Sequence, residues 1–159
     1  MSVYFLDSSA LVKRYINETG SAWVLDLFDS TVEHEFFVAA ITAVEIVAAI
    51  TRRARSGSIA TADAALVFNQ LRSDLHADYQ VIEITEGIIS SAMALAETQG
   101  LRGYDAVQLA AGCAINEICV ASGLSPIIFV SADAELNLSA VNEGLLIENP
   151  NHSHDTSSI

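Results

Sequence analysis

Val3-Tyr4-Phe5-Leu6-Asp7-Ser8-Ser9-Ala10-Leu11-Val12-Lys13-Arg14-Tyr15 is the stretch whose reading decides the fold. Four apolar residues in a row read as a strand buried on both faces. Asp7 ends the run, and Ser8 or Ser9 can cap a helix over Ser8 to Tyr15. A buried strand passing straight into a helix is the opening of a parallel β-α-β unit.

The rest of the 159 residues repeats that alternation. Strands are expected over Glu35 to Ala40, Gln80 to Ile84, Ile127 to Val130 and Leu145 to Ile147. Helices are expected over Ser21 to Phe28, Thr42 to Arg55, Thr61 to His76, Glu86 to Thr98, Tyr104 to Ala121 and Ala134 to Asn142. Thr61 is the expected cap of its helix, and Gly100 and Gly144 close two others. The pattern implies a mainly parallel sheet covered by helices on both faces, in one domain over residues 1–150. The polar tail, 151–159, lacks periodicity and is expected to be disordered.

Composition narrows the function. Hydrophobic residues make up 52% of the chain, which excludes a disordered acidic segment. The formal net charge is -13, from 20 acids against 7 Lys and Arg. That balance excludes a broad basic face for gripping nucleic acid but leaves open a small cation-holding site. No run of 18 apolar residues is free of charge, so no membrane span is expected. Asp7 interrupts the apolar start and the basic residues follow it, the wrong order for a signal peptide. Cys113 and Cys119 form neither a disulfide framework nor a zinc pair, and read as small buried residues of a cytoplasmic protein.

Ligands of open parallel sheets bind beyond the carboxyl ends of the strands. Asp7 follows the first strand, Glu45 lies one turn into the helix after the second, and Asp133 closely follows the Ile127 to Val130 strand. Asp105 opens the long helix before that strand. Each acid also has a purely structural reading. Asp7, Asp105 and Asp133 suit helix N-termini, and Thr42-Ala43-Val44-Glu45 matches a capping box. The helix of Glu45 is apolar nearly all round, which implies burial, and an unpaired buried carboxylate is costly. A shared cation would satisfy such acids more fully than four separate caps. An all-oxygen donor set suits Mg²⁺ or Mn²⁺. His34 and His76 are isolated, and His152 and His154 lie in the tail.

Four segments resemble the motifs of PIN domains, in order. They are Tyr4-Phe5-Leu6-Asp7-Ser8-Ser9, Thr42-Ala43-Val44-Glu45, Tyr104-Asp105-Ala106-Val107-Gln108-Leu109-Ala110, and Phe129-Val130-Ser131-Ala132-Asp133-Ala134-Glu135-Leu136. The resemblance spans about Val3 to Pro150 and looks closest to VapC-type toxins of bacterial toxin–antitoxin pairs. It implies an α/β/α sandwich and a Mg²⁺- or Mn²⁺-dependent ribonuclease. It also implies a homodimer and, for a toxin, a small antitoxin partner. By resemblance, Asp7, Glu45, Asp105 and Asp133 are the acidic quartet, with Asp7 and Asp105 the most direct metal ligands. Ser9 and Ser131 supply supporting hydroxyls. The implied reaction cleaves an RNA phosphodiester to leave a 5′-phosphate and a 3′-hydroxyl. The competing readings are a catalytically silent PIN-fold binding module and an RNA-processing nuclease that is not a toxin.

The basic residues are clustered. Arg52, Arg53 and Arg55 end the Glu45 helix, where cations favour the dipole. Arg52 shares a face with Glu45, about 10 Å away along the axis. Lys13 and Arg14, nearer the first acid in sequence, are the candidate RNA contacts. Other acidic-pocket folds fit less well. A receiver domain needs an Asp after its third strand, where this chain reads Ile84-Thr85-Glu86. An Asp-x-Ser-x-Ser metal loop is broken by Leu11, and an Asp-x-Asp phosphatase motif by Ser9.

Overall fold

A computed structural model describes residues 1–29 and 31–152. The chain runs β1 (Val3–Leu6), α1 (Ser8–Tyr15), α2 (Ser21–Asp29), β2 (Glu35–Ala39), α3 (Ala40–Arg55) and α4 (Thr61–Ala77). It continues β3 (Gln80–Ile82), α5 (Glu86–Gln99), α6 (Gly103–Ala121), β4 (Ile128–Val130), α7 (Ala134–Asn142) and β5 (Leu146–Glu148). The strand order is β3-β2-β1-β4-β5, and every pairing is parallel. The chain is therefore an α/β/α sandwich.

Alternation along the strands sorts the core into two layers. Val3, Phe5 and Phe129 face α5, α6 and α7, packing with Leu95, Leu109 and Leu136. Tyr4, Leu6 and Val38 face the other way, onto Leu11 of α1, Ile46 and Ile50 of α3 and Leu71 of α4. β1 is the central strand, and all four of its residues are buried. Gly112 lets α6 press against the sheet: a Cβ there would stand 2.9 Å from the Phe129 ring. This close seat fixes where the first turn of α6, with Asp105, meets the sheet edge.

The ends of the elements depart from expectation in an instructive way. Neither Ser8 nor Ser9 caps α1. Asp7 does, accepting from the Ala10 amide at 2.9 Å. α4 begins with Ala60 as its cap position, so Thr61 lies inside the helix. α3 starts two residues early, with Ala39 as N-cap and no side-chain cap bond. The capping box between Thr42 and Glu45 therefore does not form. Although α3 is apolar nearly all round, it is not fully buried: Val44 stands exposed. Gly100 and Gly144 adopt left-handed φ values of 67° and 85° after α5 and α7, as expected of closing glycines. Residues 151 and 152 continue a turn in which the His152 amide donates to the Asn149 carbonyl. The remainder of the expected disordered segment, 153–159, lies outside the described residues. No helix among the described residues is long and apolar enough to cross a membrane.

Candidate functional site

The parallel sheet brings the carboxyl ends of β1, β2 and β4 to one edge. Asp7 follows β1 directly, and its amide donates to the Val130 carbonyl at the end of β4. Ser131 then follows β4, while α3 leaves β2 without a loop. Asp7 is 3% exposed. Its Oδ1 accepts from Ser9 Oγ at 2.7 Å, and its Oδ2 from Ser131 Oγ at 2.6 Å. The two hydroxyls lie 3.3 Å apart, and the Ser9 hydroxyl also accepts from the Ala132 amide. The two oxygens of the acid are thus fixed from two separate places in the chain, the first turn of α1 and the residue after β4.

These donors favour the carboxylate, yet burial outweighs them. Loss of water raises the Asp7 carboxyl from 3.8 to about 6, with the Asp105 charge adding to the rise. Asp105 is half-buried in the first turn of α6, whose N-cap position is filled by Arg102 without a side-chain bond. Its carboxyl is also raised, first by burial and then by the charges of Asp133 and Glu45. Glu135 pushes the same way, and Arg102 opposes it. Asp105 therefore lies within the field of Glu45 and Asp133, and Asp7 within the field of Asp105. Glu135 is a fifth contributor that sequence reasoning missed, although it lies in the last quoted motif.

Asp133 performs the structural role open to it. Its Oδ1 accepts from the amides of Glu135 and Leu136, capping α7. Its own amide donates to Ser131 Oγ at 3.1 Å, which links the cap to the Asp7 cluster. Glu45 is half-buried, and Gln108 Nε2 donates to its Oε1 at 2.8 Å.

The donor set consists of hard oxygens, which matches a hydrated divalent cation better than zinc. Among the described residues, no three His, Cys, Asp or Glu side chains are already gathered into a metal cage.

Beside the acids lies an open cleft of about 420 Å³, reached past Ser9 and Glu45. Val44, Ala48, Arg52 and Tyr104 line it, and Tyr104 is 64% exposed. The basic residue in this cleft is therefore Arg52. Lys13 and Arg14 are engaged elsewhere. Lys13 is buried, donating to Glu18 at 3.0 Å and to the Thr19 carbonyl at 2.7 Å. Arg14 pairs with Asp78 at 2.7 Å and stacks 3.8 Å over the Phe28 ring. Both side chains leave α1 toward these internal partners and away from the cleft that Arg52 lines.

The PIN domain family model matches residues 4–124, and the chain belongs to that family. No curated protein matches the sequence. Among solved structures, the chain is similar to PAE2754 from Pyrobaculum aerophilum, at 22% identity and a TM-score of 0.60. That match covers 92% of this chain and 89% of the other. FitAcB from Neisseria gonorrhoeae matches at 14% identity and 0.64, over 94% and 99% of the two chains. VapBC2 from Rickettsia felis, bound to a fragment of its promoter DNA, matches at 14% and 0.59, over 92% and 98%. The chain thus shares its fold with the PIN domains of toxin–antitoxin complexes.

Proposed function

We propose that this protein is a Mg²⁺- or Mn²⁺-dependent endoribonuclease and the toxin of a type II toxin–antitoxin pair. The observation that carries the reading is Asp7. It is a buried acid, fixed through both oxygens by Ser9 and Ser131, within the field of a second acid, Asp105. Asp7 and Asp105 would hold the cation, with Glu45 and Asp133 completing its surroundings directly or through waters. When bound, such an ion activates water and offsets charge on the scissile phosphate. The protein's own part is to aim the carboxylates. Ser9 and Ser131 lock the Asp7 plane, and the Asp133 amide keeps Ser131 in place. The cleft past Glu45 would lead single-stranded RNA to the acids.

Purified protein should cleave single-stranded RNA when Mg²⁺ or Mn²⁺ is present. EDTA should stop cleavage, added metal should restore it, and the products should carry 5′-phosphates. Cleavage that persists in EDTA would overturn the reading. We further propose a homodimer and a small antitoxin with a basic segment, which the remaining acidity of the chain would attract. Light scattering that gives only a monomer at micromolar protein would remove the dimer. Growth arrest on expression, relieved by the product of a short neighbouring frame, would support the toxin role.

A further inference from the structure

One buried side chain in the motif of α6 has no role in the reading above. Gln108 is 1% exposed and lies one turn beyond Asp105 on the same helix. Its amide nitrogen donates to Glu45 Oε1 at 2.8 Å and to Thr42 Oγ1 at 2.9 Å. Both hydrogens of the amide are therefore directed at α3. Its carbonyl oxygen, Oε1, is buried and has no hydrogen-bond partner among the described residues.

That orphaned acceptor carries the argument. A buried amide ordinarily satisfies both ends. Turning the Gln108 amide over would place its oxygen against the Glu45 carboxylate, which when ionised only accepts. The orientation is thus set by Glu45, at the expense of the amide's other end. A general clamp between α3 and α6 would not need this arrangement, since two apolar side chains would pack there without an unpaired oxygen. The Gln108 bond also falls on one carboxylate oxygen, which fixes the plane of the group without engaging Oε2.

We infer that Gln108 is a positioning residue that holds the Glu45 carboxylate toward the cation site shared with Asp7 and Asp105. It acts through Glu45 and touches neither substrate nor cation. The inference rests on the cation reading proposed above and assigns a function to a residue which that reading leaves idle.

The test is a Mn²⁺ titration without RNA, followed by electron paramagnetic resonance, on wild type, Gln108→Met, Glu45→Gln and the double variant. Met matches the length of Gln and removes the donor. Gln108→Met should weaken Mn²⁺ binding about tenfold, the usual effect of losing a partner behind a ligand. In the Glu45→Gln background the same change should alter affinity less than twofold, because the residue through which it acts is gone. An equal loss in both backgrounds, or none in either, overturns the positioning role. Gln108→Asn keeps an amide but draws it back by one carbon, so it should reproduce the loss and serves if the Met variant does not fold. Failure of wild type to bind Mn²⁺ at all would instead overturn the cation reading itself.

Discussion

Helix α1 has a buried acid at its first end and a half-buried cation in its last turn, and the two are treated in opposite ways. Arg14, in the last turn, is surrounded by opposite charge and matched donors. It pairs with Asp78 at 2.7 Å and Asp74 at 3.4 Å, and donates to the Tyr79 hydroxyl at 2.6 Å. Tyr15 and Gln70 donate to the same Asp74, and Phe28 stacks on the guanidinium. Asp7, at the other end, receives two hydroxyls and a backbone amide, and the charge that raises its carboxyl further is that of another acid, Asp105. In the Arg14 cluster a cation stands between the two acids, and its donors are matched. The Asp7 cluster carries negative charge that the described residues leave largely uncompensated. Imbalance of that kind, at a strand's carboxyl end, is what supports the cation site proposed for Asp7 and Asp105.

Asp7→Asn should break the comparison most strongly at the functional end. Asn keeps the shape and can still cap α1, but removes the charge. RNA cleavage should fall by about a thousandfold or more, equivalent to ~4 kcal/mol of barrier. The metal-free variant should nevertheless melt no lower than wild type at neutral pH. Undiminished cleavage by Asp7→Asn would remove the acid from the mechanism and leave it as a cap.

Arg14→Met should show the reverse. It keeps the apolar stem over Phe28 but takes the cation from Asp74, which is buried and keeps the Tyr15 and Gln70 donors. Breaking a buried pair in this way costs about 3 kcal/mol or more. Chemical unfolding should detect that loss, while cleavage per folded molecule should stay near wild type. A large drop in cleavage with unchanged stability would mean that Arg14 serves the substrate after all.

The pH dependence separates the two ends next. The Asp7 carboxyl is raised in the folded state from 3.8 to about 6. A raised acid favours the folded state only while it holds its proton. Its contribution is therefore fully present below about pH 4 and is lost as pH rises to about 6. For the metal-free protein this amounts to roughly 3 kcal/mol. Asp7→Asn should be as stable as wild type at pH 4 and more stable at pH 7. A constant difference across that range would mean that Asp7 is not raised. At the Arg14 end the Tyr79 hydroxyl, raised by burial to about 12, keeps its proton throughout that window.

The same contrast explains what could be read from the chain. The alternation of apolar runs and helical faces gave away the parallel sheet, because strands buried on both sides, such as Val3–Leu6, carry a plain signal. The acids were legible because they fall in recognisable motifs, Asp7 and Asp133 just after strands and Glu45 and Asp105 near helix starts. The partners that position them were not. Nothing in the order of residues shows that Gln108 reaches across to Thr42 and Glu45, or that α3 starts early enough to dissolve the Thr42 capping box. The reach of Gln108 depends on how closely α6 seats on the sheet, where Gly112 meets Phe129, rather than on local pattern. Side-chain direction was the other hidden quantity, and it decided the basic residues.

That last point gives the smallest and most discriminating prediction. Lys13 and Arg14 lie beside Asp7 in sequence but serve internal partners, whereas Arg52 lines the cleft with Glu45 and Tyr104. With seven basic residues against 20 acids, few phosphate contacts are available to this chain. Each contact should therefore be visible in the salt dependence of RNA binding. Arg52→Gln should weaken binding only a few-fold, but it should reduce the slope of log affinity against log salt by about 0.7, the value of one phosphate on a single strand. Arg53→Gln should leave the slope unchanged, because Arg53 pairs with Glu18 at 3.1 Å. If Arg53→Gln shifts the slope and Arg52→Gln does not, the RNA follows a path other than this cleft. The route would then have to be sought along the Glu18 side of α3.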